Sequence, residues 1–198
     1  MILSLDASTQ RGSVALVQDR QVVRELFPET PRGRGGELFN ALEKILHDAP
    51  TIRRVVVGVG PGSYNGVRSA IAAAWGIATA KLIPLVGISS VLGFNDQEYF
   101  ALGDARRQQY FLAHVRHGSL LTEPSLLTRT ELEAELHKRP HLPIFASAPI
   151  EFLPEVIVRT PSAARLGMLA ADWPPNHPEP LYLKAAHITT PKRGNKRP

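Results

Sequence analysis

One continuous stretch, residues 55–81, restricts the fold more than any other part of the chain. It begins with the apolar run VVVGVG, passes through the glycine-rich loop PGSYNGVR and continues as the small, apolar run SAIAAAWGIATAK. A β-branched run that is apolar on both faces is typical of a strand buried between layers. Ser63 is a suitable N-cap for the helix that the second run predicts as far as Lys81. The stretch therefore predicts an α/β fold.

The two halves of the chain begin with the same order of elements, a three-strand meander, a helix and a strand, which predicts two lobes. In the first half, three strands (ILSLD, GSVALVQD and QVVRELF) precede an amphipathic helix in ELFNALEKILHDA, then the strand and helix above, then the strand PLVGISS. In the second half, the strands FALGD, QYFLAHVR and LLTEPSLL precede a helix with a capping box at Thr130 and Glu133, the strands PIFAS and EVIVRT, and a helix in SAARLGMLAADW. We expect lobes at 1–95 and 96–191, followed by a basic tail at 192–198.

The composition narrows the class of protein and its compartment. The chain has 198 residues, of which 43% are hydrophobic and 21% charged, as is usual for a globular protein. It contains no cysteine, so disulfides, thiolate metal sites and cysteine nucleophiles are excluded. The start MILSLDAST has no basic segment before its apolar residues, and the apolar stretch between Arg68 and Lys81 is shorter than the roughly 20 residues that a bilayer requires. We expect a cytoplasmic protein without membrane contact.

The net charge of +5 is concentrated at the end of the chain. The final KRGNKRP contributes four positive charges, from Lys192, Arg193, Lys196 and Arg197, so the rest of the chain is nearly neutral. A short basic tail without apolar residues is usually a solvated chain end. The alternative is that the tail adds weak, salt-sensitive contacts to RNA phosphates.

The first candidate site is the hairpin that follows the first strand. Its backbone N–H groups and hydroxyls could donate hydrogen bonds to a phosphate, while the carboxylate could hold magnesium through water. The alternative is structural: the aspartate ends the strand, and the hydroxyl residues form a local turn. The residues of this vestigial phosphate site are Asp6, Ser8, Thr9 and Gly12.

The second candidate is the loop GPGSYNGVR. It lacks the spacing and the lysine of a P-loop, and its glycines are spaced one residue too far apart for a dinucleotide fingerprint. Its position before a helix keeps anion binding possible. We interpret it mainly as a packing turn that begins an interface helix, with any anion contact secondary. The loop residues are Gly60, Pro61, Gly62, Ser63, Gly66 and Arg68.

No catalytic residue or metal ligand is expected. Pro140 lies between His137 and His141 and would break the helix that must bring both rings to one face. His114 and His117 have a spacing that places them on opposite faces of a strand. Neither H-E-x-x-H nor G-x-S-x-G occurs. No glycine occurs between residues 119 and 166, so the second half lacks a second phosphate hairpin and an adenosine loop.

Four motifs, in chain order, resemble those of a known family. DAST with GSVAL, GVGPGSYNGVR, GDARRQQYF and EPLYLK are similar to the bacterial TsaB (YeaZ-type, glycoprotease-like) family, the dimerization subunit of the complex that makes threonylcarbamoyladenosine in tRNA. The loop is close to the family's GPGSFTGVR, with Tyr64 for Phe and Asn65 for Thr. Val59 stands where the family often has Arg, Arg34 lies near a usual His, and Lys184 replaces the usual Arg.

The resemblance implies both a fold and a function. The fold would be the actin-like ATPase (ASKHA, ribonuclease-H-like) fold with duplicated lobes, the second reduced. The function would be that of a non-catalytic subunit required by a related catalytic subunit, which transfers threonylcarbamoyl to N6 of the adenosine next to the tRNA anticodon. ATP and metal would belong to the catalytic and ATPase subunits, and tRNA would be contacted indirectly.

The resemblance and the smooth, small-residue helix together predict a pairing surface on the helices 36–49 and 63–81. This surface would bind the catalytic subunit, or a second copy of the chain when that subunit is absent. The alternatives are an active ATP-dependent phosphotransferase or metallopeptidase of the same fold, and a tRNA-binding module that acts through the basic tail. The residues predicted for the interface are Leu38, Leu42, Ile45, Ala70, Ala73, Ala74 and Ile77.

Overall fold

The structure is a computed structural model that describes residues 1–29, 36–47, 49, 51–94 and 97–183. The first half of the described chain contains β1 (Ile2–Asp6), β2 (Ser13–Gln18), β3 (Gln21–Leu26), α1 (Gly36–His47), β4 (Arg54–Gly58), α2 (Tyr64–Lys81) and β5 (Leu85–Ile88). A short 3₁₀ helix, Ser90–Gly93, leads to the second half: β6 (Tyr99–Asp104), β7 (Gln109–Arg116), β8 (Ser119–Thr128), α3 (Arg129–His137), β9 (Ile144–Ala146), β10 (Ile157–Val158) and α4 (Ala163–Leu169). No helix in these ranges is long and apolar enough to cross a membrane.

The two halves form two five-stranded sheets with the same topology. The strand orders are β3-β2-β1-β4-β5 and β8-β7-β6-β9-β10. In each sheet the first three strands form an antiparallel meander, and the last two run parallel to the central strand. The predicted duplication of one mixed sheet is confirmed, and it agrees with the duplicated lobes that the resemblance implies.

The second lobe is a reduced copy of the first. β9 and β10 have only three and two residues. The parallel strands β4 and β5 are joined by the 18-residue helix α2, whereas residues 147–156 join β9 to β10 through turns. The second sheet therefore lacks the helix that corresponds to α2.

The strand β4 is buried on both faces because each face meets a different layer. Val55 and Val57 pack with α1 and α2 in one apolar cluster. Val56 faces the other way and joins a cluster with Tyr99 from the second sheet and Leu166 from α4. The continuous apolar run of this strand thus reflects a position between two layers.

The last helix returns to the first lobe. α4 packs against β1, β2 and β4, and the Glu25 carboxylate of β3 holds its N-terminal end. Glu25 Oε1 accepts hydrogen bonds from Ser13 Oγ (2.7 Å), Ser162 Oγ (2.8 Å) and the Ala164 N–H (3.1 Å). The boundary expected between residues 95 and 96 lies outside the described residues. The two sheets lie on either side of it in the chain, but residues of both pack together in one apolar cluster. The expected tail at 192–198 also lies outside them.

After α4 the chain crosses the first lobe as an extended segment, residues 174–183, which we call the C-terminal strap. Asn176 mimics a strand backbone against β5: its side-chain Oδ1 accepts from the Gly87 N–H (2.7 Å), and its Nδ2 donates to the Gly87 carbonyl (3.0 Å). Farther along, the Leu181 N–H donates to the Val59 carbonyl (2.8 Å). The strap covers the edge of the first sheet and ends beside the glycine-rich loop.

One local prediction is wrong by two residues. The capping box of α3 is formed by Thr128 and Glu131, not by Thr130 and Glu133. β8 ends at Thr128, so the helix begins at Arg129 and the earlier of two overlapping T-x-x-E motifs provides the cap.

Candidate functional site

The carboxylate of Asp6 is sealed inside the β1–β2 hairpin. The residue is 1% exposed, and its Oδ1 accepts hydrogen bonds from the Ser8 N–H (2.9 Å) and Ser8 Oγ (2.7 Å). Among the described residues no partner reaches Oδ2 in hydrogen-bond geometry, although the Ser90 hydroxyl lies nearby. Burial raises the pKa of Asp6, and the hydroxyls of Ser90 and Ser8 oppose this increase only in part. A side chain at Gly58 would overlap this carboxylate.

The glycine-rich loop closes over the hairpin. The Ser63 N–H donates to the Ser8 carbonyl (2.6 Å), and a Cβ at Gly62 would overlap that same carbonyl group. A Cβ at Gly66 would overlap the carbonyl oxygen of Ala7. The loop glycines are therefore needed because the backbone of α2's first turn lies directly on the backbone that follows β1.

The other predicted phosphate donors are also engaged within the chain. Thr9 Oγ1 donates to the Arg11 carbonyl (2.6 Å), and the Gly12 N–H donates to the Pro28 carbonyl (2.8 Å). In this conformation these donors have internal acceptors and the loop covers the turn, so phosphate binding at the hairpin stays a prediction that requires the loop to move.

The loop positions the start of α2. Ser63 Oγ accepts a hydrogen bond from the Gly66 N–H (3.2 Å), as an N-cap residue does. Gly60 has φ +94°, and the peptide between it and Pro61 is cis. Arg68, the last residue of the motif, contacts the ring of Tyr64.

Most of the predicted interface residues are core residues of the monomer. Their exposures fall between 0% and 4%, because the apolar stripes of α1 and α2 are what these helices bury against the first sheet. As surface positions four of them are wrong: Leu38, Ile45, Ala70 and Ala74. Of the other three, Leu42 is buried but lies at the floor of a groove, and Ala73 and Ile77 are half-buried on its wall.

This groove runs between α1 and α2 and opens to solvent, with a volume of about 630 Å³. Phe39, 51% exposed, and Leu46 line it from α1, and Gly76 lines it from α2. A Cβ at Gly76 would meet no atom within 4 Å. Glu43 and His47 add polar groups to an otherwise apolar surface. Phe39 lies beside the stripe of buried residues on α1, and that offset is the sequence signal for its exposure.

The described histidines form no metal site. Within the described ranges, no group of three or more His, Cys, Asp or Glu side chains is placed to hold a metal ion. His114 is buried, with Nε2 2.8 Å from Glu98 Oε1, and this contact lowers the pKa of Glu98. His137 Nδ1 is 2.6 Å from the Glu133 carbonyl oxygen.

Comparisons with known proteins show which proteins this chain is similar to. The family model of TsaD, described as tRNA N6-adenosine threonylcarbamoyltransferase, matches residues 37–121. The tRNA threonylcarbamoyladenosine biosynthesis protein TsaB of Bacillus subtilis is 30% identical over 132 residues, which are 62% of this chain and 58% of that protein. The TsaB of Escherichia coli is 34% identical over 95 residues, 46% of this chain and 41% of that protein. These matches support a TsaB-type (YeaZ-type) protein. The chain aligns with only about half the length of these two relatives.

Two further comparisons extend the match over 92% of this chain. An uncharacterized protein of Mycobacterium tuberculosis is 28% identical over 199 residues, 92% of this chain and 91% of that protein. The solved structure of YeaZ from Pseudomonas aeruginosa superimposes with a TM-score of 0.74 at 19% identity, and covers 92% of this chain and 99% of that one. The structural match shows that the two proteins share a fold.

Proposed function

We propose that this chain is a non-catalytic partner subunit that pairs with a TsaD-type catalytic subunit. The complex would transfer threonylcarbamoyl to N6 of the adenosine next to the tRNA anticodon, in the cytoplasm. The names of the TsaB relatives support this place in tRNA modification. The open apolar groove between α1 and α2 is the single observation that carries the proposed partner role.

The shape of the groove suits a helix of a related subunit. Ala73 and Gly76 have small side chains or none, so few atoms project from the exposed side of α2 and a second helix can approach closely. Phe39 and Ile77 provide apolar surface at the walls, and burial of such surface drives association. We infer that a second copy of the chain uses the same surface when the catalytic subunit is absent.

The closed hairpin supports assigning ATP and metal to other subunits of the complex. Asp6 is 1% exposed and covered by the loop, so no water-bound magnesium ion fits beside it without a rearrangement of the loop. We propose that nucleotide chemistry resides in the catalytic and ATPase subunits, and that this chain contributes binding surface.

Reconstitution tests the proposal. Threonylcarbamoyl transfer to tRNA is measured with the cognate catalytic subunit, ATPase subunit and activated donor, with and without this chain. We expect transfer to require the chain, while the chain alone turns over no nucleotide and cleaves no peptide in the presence of metal. Transfer that is indifferent to the chain would refute the partner role, and turnover by the isolated chain would favour the phosphotransferase or metallopeptidase alternative.

Two charge substitutions locate the pairing surface. Ile77→Glu places a carboxylate in the groove and should abolish pairing while the monomer stays folded, because the side chain is half-buried at its edge. The matched control Thr79→Glu adds the same charge on an exposed position of α2 outside the groove and should pair normally. Pairing is measured by gel filtration and folding by circular dichroism. Normal pairing of the Ile77 variant would remove the groove from the interface.

A further inference from the structure

We propose that one end of the first lobe, centred on Tyr64, Tyr182 and Arg68, is a contact surface for unpaired RNA nucleotides. The inference goes beyond the proposed partner role, in which tRNA is handled only through the catalytic subunit. It concerns a surface distinct from the groove between α1 and α2.

The aromatic part of this surface is a pair of stacked rings on the outside of the protein. The rings of Tyr64 and Tyr182 lie 5.2 Å apart between centroids, with an angle of 25° between their planes. The two residues are 47% and 48% exposed. One comes from the start of α2 and the other from the C-terminal strap. A half-exposed aromatic stack offers a nucleobase a flat partner, and such stacking tolerates any base.

Arg68 places a positive charge on the same pair. Its guanidinium lies 5.1 Å from the centre of the Tyr64 ring and hydrogen-bonds the Tyr64 hydroxyl. Tyr64, with a smaller contribution from Tyr182, raises the pKa of Arg68, so the guanidinium stays charged. Among the described residues no carboxylate forms an ion pair with Arg68, and the first turn of α2 carries no acidic residue. The charge is therefore available to a phosphate next to a stacked base.

A second arginine and aromatic ring lie at the same end of the lobe. The Arg11 guanidinium is 5.4 Å from the centre of the Phe27 ring, which is 38% exposed. Arg11 lies in the turn between β1 and β2, and the Ser63 N–H, next to Tyr64 in the chain, donates to the Ser8 carbonyl of the same turn. Glu29 stands opposite Arg11 in an isolated bridge and offsets part of its charge. We expect this second pair to contribute less than the first.

The charge of the remaining chain agrees with an anionic partner. Lys192, Arg193, Lys196 and Arg197 follow Tyr182 in the sequence by ten to fifteen residues. They would add the salt-sensitive part of the affinity.

The experiment measures binding of the full chain to a fluorescently labelled single-stranded RNA of about 12 nucleotides by anisotropy. We expect Tyr182→Leu to weaken binding at least fivefold, because it removes one ring of the stack. The matched control Tyr182→Phe keeps the ring and should bind within twofold of the unmodified chain. Arg68→Gln should weaken binding and reduce its dependence on salt, because a phosphate contact is lost.

A loosened strap could mimic the loss of a ring, so a further variant separates the two effects. Asn176→Ala removes the side-chain bonds to Gly87 but leaves both tyrosines in the chain. We expect it to bind RNA more tightly than Tyr182→Leu. Equal binding by the unmodified chain and Tyr182→Leu, or equal weakening by Asn176→Ala and Tyr182→Leu, would overturn the proposal and leave the rings as a strap anchor.

The readout is independent of the proposed partner role. Anisotropy uses the chain without the catalytic subunit, whereas pairing is followed separately by gel filtration with the same variants. RNA binding that depends on the rings, in a chain that fails to pair, would refute the partner role alone. Normal pairing with no dependence of RNA binding on the rings would refute the RNA surface alone.

Discussion

Two glycine-to-alanine substitutions in one helix should change stability in opposite directions. Gly66 lies in the first turn of α2, where an added Cβ would overlap the carbonyl oxygen of Ala7. Gly76 lies in the same helix, but an added Cβ there would meet nothing within 4 Å. Both substitutions improve helix propensity, but only Gly66→Ala disturbs the close approach of two backbones. Comparing the two variants therefore separates these two effects on stability.

The magnitudes follow from these two surroundings. Alanine is favoured over glycine in a helix interior by about 1 kcal/mol, so Gly76→Ala should raise the free energy of unfolding by about that amount. At Gly66 the same gain is opposed by overpacking, which costs about 1–3 kcal/mol and should lie at the upper end because a β1-anchored backbone carbonyl cannot rotate away. We expect Gly66→Ala to lose about 2 kcal/mol, and the two variants to differ by about 3 kcal/mol.

Urea denaturation followed by circular dichroism measures both values, with thermal unfolding as a second reading. In a chain of this size about 1 kcal/mol corresponds to about 2–4 °C in Tm. The unfolding midpoints of the two variants should fall on opposite sides of that of the unmodified protein. If Gly66→Ala is as stable as Gly76→Ala, the loop does not lie on the hairpin as described, and the closure of the Asp6 site loses its support.

Three further substitutions test other parts of the structure. Glu25→Ala should lower the free energy of unfolding by about 1–3 kcal/mol in urea denaturation, because buried donors of β2 and α4 lose their acceptor. Burial holds the pKa of Asp6 above its ordinary value of 3.8, so the folded state binds the proton more tightly than the unfolded state does. The folded state therefore loses stability as the pH rises from 3.8 through the folded pKa. The stability of Asp6→Asn relative to the unmodified chain, measured by urea midpoints, should increase between about pH 4 and pH 7. Leu82→Gly should raise the free energy of unfolding by about 1 kcal/mol, and with it Tm, because Leu82 is 91% exposed and adopts φ +52° at the C-cap of α2, where glycine is unstrained. An unchanged or lower Tm would contradict that reasoning.

The closed hairpin agrees with the proposed role of this chain as a binding subunit. The strand, turn and strand that could face a phosphate are present, but α2 begins directly on top of the turn. The same helix presents Ala73 and Gly76 to the outer groove. Helix α2 therefore covers the turn beside Asp6 with its first residues and forms one wall of the groove with its outer face.

The sequence by itself determined the elements and their order. Alternation and helical spacing located the strands and helices to within a few residues, because a two-residue or 3.6-residue period records which side of an element is buried. The N-cap at Ser63 was also readable, since it depends on one hydroxyl and a neighbouring N–H group. The repeated order of elements predicted the duplicated lobes, which the sheet topology confirms.

The tertiary structure alone decided what each buried side faces. An apolar stripe shows that Ala70 and Ala74 are buried, but the burial can be against the chain's own sheet or against a partner, and here it is the sheet. The loop glycines likewise indicate close approach without naming the neighbour, which proved to be the hairpin of Asp6. Both outcomes rest on contacts between residues far apart in the chain, and local periodicity carries no information about such contacts.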